Sequence, residues 1–386
     1  MDVRRRLTRW ALARPHVLLV SPGPRALRWA AEAELDRRSW PEAGSPADAD
    51  VVLVAGEPGP STSAAVDVLM SQLPRPRVRI DVDRADDVGR RLDGVVAALA
   101  DVSGQLAEPS GDPQALLRLG EPSEAGGQGD HGGHGDVSEH GDDGGHGDHG
   151  GHGDHGGHGE HAHHGGEVAG LPMAGTAPDR DGLELDSLRV SLGPVLPAWP
   201  TGLVLSGTMQ GDVLTGARLR WIDGDRAPPP SPDDGRPDDG RPDVVALDAL
   251  ARFLRVAGWP VAARRARAAR HALLSADEES VRRGRAAAAR VTRTVRRSRF
   301  LRWSVRGIGD THGTAGDGIP AGDVLDRAYR WCAVAGGGLP VASAPADLGA
   351  LAGMVEGQEL AAARLIVASV DLDGAAVGAE YGRAHD

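Results

Sequence analysis

Cysteine is nearly absent: Cys332 is the only one in 386 residues. A single thiol excludes an intrachain disulfide, a Cys-ligated iron–sulfur cluster and a four-Cys zinc site. Lysine is missing altogether, while arginine and alanine abound, which reads as the codon bias of a GC-rich genome rather than as function. No apolar run approaches the roughly 18–20 residues that span a bilayer. The opening stretch MDVRRRLTRWALARPHVLLV has a basic head, but Arg14 and Pro15 interrupt it, so no signal peptide is expected. A cytoplasmic location follows, peripheral on the inner face of a membrane at most. Within residues 1–106 neither GxGxxG nor GxxxxGK(S/T) occurs, and the Gly-Pro turns at 21–25 and 56–61 lack the N–H donors of a phosphate cradle. They are read as structural turns.

What is present is organised around one tract, His131–His164. Of its 34 residues, 11 are His, 13 are Gly and 7 are acidic. Such a composition buries almost no apolar surface and is costly to order, so it predicts a disordered tether within a linker at 107–167. Imidazole is the commonest ligand for Zn, Ni, Cu and Co, and carboxylates add weaker donors. The candidate metal ligands are His131, His134, His140, His146, His149, His152, His155, His158, His161, His163 and His164. The tract resembles the His-rich stretches of nickel metallochaperones and zinc-handling proteins. The competing reading is a solvated spacer.

Residues 1–106 alternate short apolar runs with helical patterns. His16–Val20, Val51–Ala55 and Arg77–Val82 read as strands. Arg25–Arg38, Ser61–Leu73 and Val88–Leu99 read as helices. That order predicts a small parallel α/β domain, flavodoxin-like, whose ligand positions would be the strand-end loops 21–25, 56–61 and 83–87. Residues 168–386 read as α+β. A strand over Asp181–Leu192 precedes a hairpin, Gly202–Met209 and Asp212–Trp221, joined at Gln210-Gly211. Helices are expected over Val244–Gly258, from Trp259-Pro260 to Leu274, over Ala276–Arg297 with Ser275 and Glu278 as a capping box, from Gly322-Asp323 onward, and over Gly357–Val370. Cys332 falls on the apolar face of the helix after Asp323 and reads as a buried small hydrophobe. Asp323, Asp326 and Arg327 form a compact charged group, with Asp323 read as a helix cap. Fifteen arginines between 251 and 302 face three acidic residues there. Those of the helix Ala276–Arg297 are read as a solvated face that snorkels over the core, or as a protein-docking face, rather than as a nucleic-acid or anionic-lipid surface; the stacking platforms expected for single strands are missing.

Several segments resemble the subunits of respiratory complex I and of nickel–iron hydrogenases. Ser45–Gly56 (SPADADVVLVAG) followed by Gln72-Leu73-Pro74-Arg75-Pro76-Arg77-Val78 is similar to the "SPxxADxLLVxG … QMPxPxxV" pattern of the small, cluster-bearing subunit. Gly193-Pro194, Pro197, Gly202, Gly211-Asp212-Val213 and Ala217 resemble the "GPxHPxxxG … LxGDxVxxA" opening of the large subunit. Leu301–Gly309 resembles its "RTRGIG" segment, and Gly322–Arg327 its "GDxxxR". The family's cluster cysteines correspond to Ser21–Pro24 and Asp83–Asp87, where none is found. Its quinone-site His corresponds to Leu196, and the "HRG" and nickel-binding CxxC motifs are absent. The resemblance implies a structural or accessory subunit without an iron–sulfur cluster, not catalytic alone, in an NADH-quinone oxidoreductase-like or hydrogenase-like membrane assembly. Its partners would be other subunits of a redox or antiporter-like complex. The alternative is a protein that handles Ni or Zn through the His-rich tract.

Overall fold

A computed structural model of the chain describes residues 12–101, 104–105, 167–168, 171–172, 175–178, 184–224, 241–311, 317–340 and 346–372. The first arm is a three-stranded parallel sheet, β1 (Val17–Val20), β2 (Val51–Ala55) and β3 (Val78–Val82), in the order β1-β2-β3. Its helices are α1 (Arg25–Arg38), α2 (Pro60–Gln72), α3 (Val88–Asp93) and α4 (Val95–Ala100). A flavodoxin-like sheet would put β1 in the centre; here β2 is central. The reason is visible in the side chains. All five residues of β2 are fully buried, which only a strand covered on both faces can achieve, and each Val or Leu so buried contributes roughly 1.5–3 kcal/mol. By contrast β3 carries Arg79 and the exposed Asp81 and suits an edge.

Period-two alternation sorts the strands onto two cores. Val17, Val51, Leu53 and Ala55 face α1, α3 and α4, while Leu18, Val20, Val52 and Val54 face Val66, Leu69 and Met70 of α2. The single helix expected over 88–99 is two short ones meeting at Gly94, which serves as the C-cap of α3 and the N-cap of α4.

The second arm opens with a two-stranded pair, β4 (Glu167–Val168) and β5 (Leu171–Pro172). An antiparallel sheet follows in the order β6-β7-β8-β9: β6 (Gly175–Pro178), β7 (Glu184–Leu192), β8 (Leu203–Gln210) and β9 (Val213–Trp221). The expected hairpin turns at Gly211, whose φ of 62° is the left-handed conformation glycine accepts without strain. Then come α5 (Pro242–Val256), α6 (Pro260–Leu273), α7 (Glu278–Arg297), α8 (Arg299–Val305), α9 (Val324–Ala335), α10 (Leu348–Val355) and α11 (Leu360–Ala368). Their apolar faces, including Leu247, Phe253, Ala266, Val291, Ala328 and Ile366, share one core with Leu203, Leu205 and Leu214 of the hairpin.

Three expectations are corrected. The cap of α7 is Asp277, accepting from the Glu279 and Ser280 amides, rather than Ser275 with Glu278. The helix expected over 357–370 spans only Leu360–Ala368, because Gly357 takes a φ of 71° that ends the preceding turn. Helices α8 and α10, and strands β4, β5 and β6, were not expected at all, and β4 begins at Glu167, the last residue assigned to the linker. Cys332 is buried as expected, and burial pushes its thiol up to about 12. Among the described residues no helix is long and apolar enough to cross a membrane.

Candidate functional site: the seam between the arms

Helix α1 presents a stripe of Arg25, Arg28, Trp29, Glu32 and Asp36, spaced three or four apart and therefore on one face. Opposite it lie Asp248, Arg252 and Arg255 of α5, and Arg267, Arg270 and His271 of α6. The Arg28 guanidinium donates to both oxygens of Asp248, Nη1 at 3.0 Å and Nη2 at 2.6 Å. Arg270, with no exposed surface, donates to Asp248 and to Glu32. It also stacks 5.2 Å from the centre of the Trp29 ring. Arg267 donates to Asp36 at 3.0 Å, and Arg25 to Asp371 at 3.0 Å. Glu42 is gripped by Arg255 and Arg267. The seam thus pairs guanidinium with carboxylate almost one for one.

Buried charge is tolerable only when paired, since the Coulomb gain must offset desolvation. Burial alone pushes the Glu32 carboxyl up, but Arg270, Arg28 and Arg267 outweigh it and bring it down to about 2. Asp248 is held well below the carboxylate range in the same way: burial raises it, and Arg28, Arg270 and Arg252 more than reverse that. His271 goes down to about 3, through burial first and the Arg270 charge second. It is therefore neutral at pH 7, and its 3.8 Å approach to Asp36 is not an ion pair.

A second set of contacts closes the carboxyl edge of the parallel sheet, where ligands sit in open α/β folds. The Ser21 amide donates to Thr201 Oγ1 at 3.2 Å. Asp223, just past β9, accepts from the Ser61 amide at 2.6 Å, the Thr62 amide at 3.1 Å and the Thr62 hydroxyl at 2.5 Å. It caps α2, which has no side-chain cap of its own. Gly59 makes room for it, since a Cβ there would lie 2.4 Å from the Asp223 Cγ. Of the three candidate ligand loops, 21–25 and 56–61 are thus occupied by the second arm, while Asp83, Arg84 and Asp86 in the third stay exposed.

The remaining sequence candidates are placed as follows. The His-rich tract, with His131, His134, His140, His146, His149, His152, His155, His158, His161, His163 and His164, lies outside the described residues. Leu196 is half-buried against the second-arm core. Asp323 and Asp326 form a capping box at the start of α9, and Asp323 also accepts from the Gly307 amide at 2.7 Å. Arg327 is buried, and its guanidinium reaches the carbonyls of Gly322 at 2.6 Å and Gly309 at 3.1 Å and the Ser369 hydroxyl at 2.8 Å. Burial lowers it to about 10. The two Gly-rich motifs, 307–309 and 322–323, are therefore one interlocked structural junction. Among the described residues no cluster of His, Cys, Asp or Glu is arranged to hold a metal ion.

The seam residues Arg28, Glu32, Asp248 and Arg270 escaped sequence reasoning. The signal was there: Asp248 stands inside the apolar run VVALDALARFL, where a carboxylate needs a partner from elsewhere. Chemically the seam is adhesive, because its charged groups are spent on one another.

These features define a two-armed protein, an α/β unit and an α+β unit clamped by buried ion pairs. Compared with known proteins, the chain matches no family model, no curated protein and no solved structure.

Proposed function

We infer that the chain is a structural or accessory subunit, without a cofactor of its own, of a complex-I-like or hydrogenase-like redox assembly at the inner face of a membrane. One observation carries the reading. The two segments that resemble different subunits of that family meet: Ser21, at the place of the family's first cluster cysteines, is hydrogen-bonded to Thr201 in the turn that resembles "GPxHPxxxG". A seam spent on adhesion suits a scaffold better than a catalyst. The partners would be membrane-bound redox or antiporter-like subunits.

The test is recovery of the tagged full chain from detergent-solubilised membranes of its own cell. Quinone-oxidoreductase or antiporter-like subunits should come with it. A chain that purifies alone, or that carries stoichiometric iron with acid-labile sulfide, would overturn the reading. The second reading, Ni or Zn handling, is favoured by the 11 clustered histidines of 131–164 and is tested separately below.

A further inference from the structure

We propose that the arginine-rich face of α7 and α8 docks on an anionic lipid surface, with Phe300 and Trp303 as its inserted wedge. Between Ser280 and Gly309 the sequence holds ten arginines and no acidic residue. All ten are exposed, because α7 turns Gly284, Ala288, Val291, Thr292 and Val295 to the core and leaves the rest of its circumference to solvent. Among the described residues only Arg282 pairs with a carboxylate, Glu279. The helix is about 30 Å long, so the charge forms a stripe rather than a point.

At the end of the stripe the chain bends at Ser298 into α8 and presents two rings outward. Phe300 is 73% exposed and Trp303 80%, with ring centroids 6.1 Å apart and planes 41° apart. Arg299, Arg302 and Arg306, all exposed, flank them in sequence. The neighbouring Leu301 and Val305 are buried, so α8 is anchored and its outward rings are held in place.

Two large rings in water, on a protein with 3% aromatics, call for an occupant with both an apolar layer and negative charge. An anionic bilayer has both. Trp and Phe sit at the headgroup–acyl boundary, and arginine stems extend to lipid phosphates while their apolar parts line the interface. Anionic headgroups attract clustered basic residues. A nucleic acid would supply the charge alone. Its bases need platforms spaced along a strand, whereas these rings form a single tilted wedge. The proposal goes beyond the subunit reading, because the surface would bind lipid without any partner subunit.

The experiment is flotation of the purified full chain with phosphatidylcholine vesicles, with and without phosphatidylglycerol. Chelator is included so that metal on the His-rich tract cannot bridge to phosphate. The chain should float only with the anionic vesicles and come off as salt rises. Phe300→Ser with Trp303→Ser should weaken binding by roughly tenfold or more, since the wedge supplies the buried apolar area. Arg290→Glu, Arg293→Glu and Arg297→Glu together should abolish it. Trp303→Phe should retain binding, and each variant should melt with the parent. No flotation with phosphatidylglycerol would overturn the proposal, and so would flotation that survives loss of both rings. Tighter binding to a nucleic-acid duplex or strand that depends on the same rings would assign the surface to nucleic acid instead. Failure here leaves the subunit reading intact, since that rests on the partners recovered.

Discussion

Arg28 of α1 and Asp248 of α5, 220 positions apart, form a buried ion pair held by two hydrogen bonds. Asp248 also takes the buried Arg270, so two guanidiniums share this carboxylate, and Glu32 supplies the second negative charge. Asp248→Ala should therefore destabilise the fold by about 3–5 kcal/mol, because it leaves buried charge uncompensated. Arg37→Ala, which removes an exposed pair with Glu34, should leave stability close to the parent's, because water screens that pair. Urea unfolding of both variants checks the contrast. Equal effects would mean that the seam charges are hydrated after all.

Acid should loosen the protein in two stages. His271 binds its proton in the unfolded chain near 6.5 and in the folded one only at about 3. Below pH 6.5 the unfolded state thus holds more protons, and stability falls as pH falls. Between pH 6.5 and 5 the loss should be about 2 kcal/mol. Glu32, which titrates near 4.5 unfolded and about 2 folded, adds its loss below pH 4.5. Asp248 acts in the same direction below its ordinary 3.8. His271→Gln should remove the upper stage and keep the lower, as read by denaturant midpoints at stepped pH.

Asp223 caps a helix of the other arm. Asp223→Ala should cost about 0.5–2 kcal/mol, the range for a lost N-cap. Hydrogen exchange at the Ser61 and Thr62 amides should speed up, whereas exchange in β9 should not. Unchanged protection at those two amides would show that water replaces the carboxylate without penalty.

The His-rich tract should bind several Ni²⁺ or Zn²⁺ ions near pH 7.5 and lose most of that capacity near pH 5, since imidazoles with an ordinary value of about 6.5 are then protonated. Replacing His146, His149, His152, His155 and His158 with Ala should remove a large share of it. Full stoichiometry in that variant, measured by calorimetry, would move the site elsewhere and end the metal-handling reading.

Much of the fold was legible because periodicity was strong. The runs VLLV and VVLVA are short, rich in valine and closed by Gly and Pro, which favours buried strands, and they are strands; Arg25–Arg38 has the observed bounds of α1. Asp323 reads as a cap in sequence and is one in space. The helix α10 was missed because its sequence, LGALAGMV, has two glycines and little amphipathic contrast. The seam was missed for a different reason. The stripe of α1 carries charge where an ordinary solvent face would, and sequence periodicity does not tell a wet charge from one that meets its counter-charge some 220 positions later.

That separation sets a timetable for synthesis. Glu32 waits for Arg270 across 238 positions. At about 5–20 residues per second, the interval on the ribosome is roughly 10–50 s. Once α4 has been made, at Ala100, the first arm has the residues of its whole sheet, yet Trp29 and the charged stripe of α1 still lack their partners on α5 and α6. The nascent chain therefore spends most of its elongation half finished, and a cell that makes this protein has the most need of a chaperone at α1.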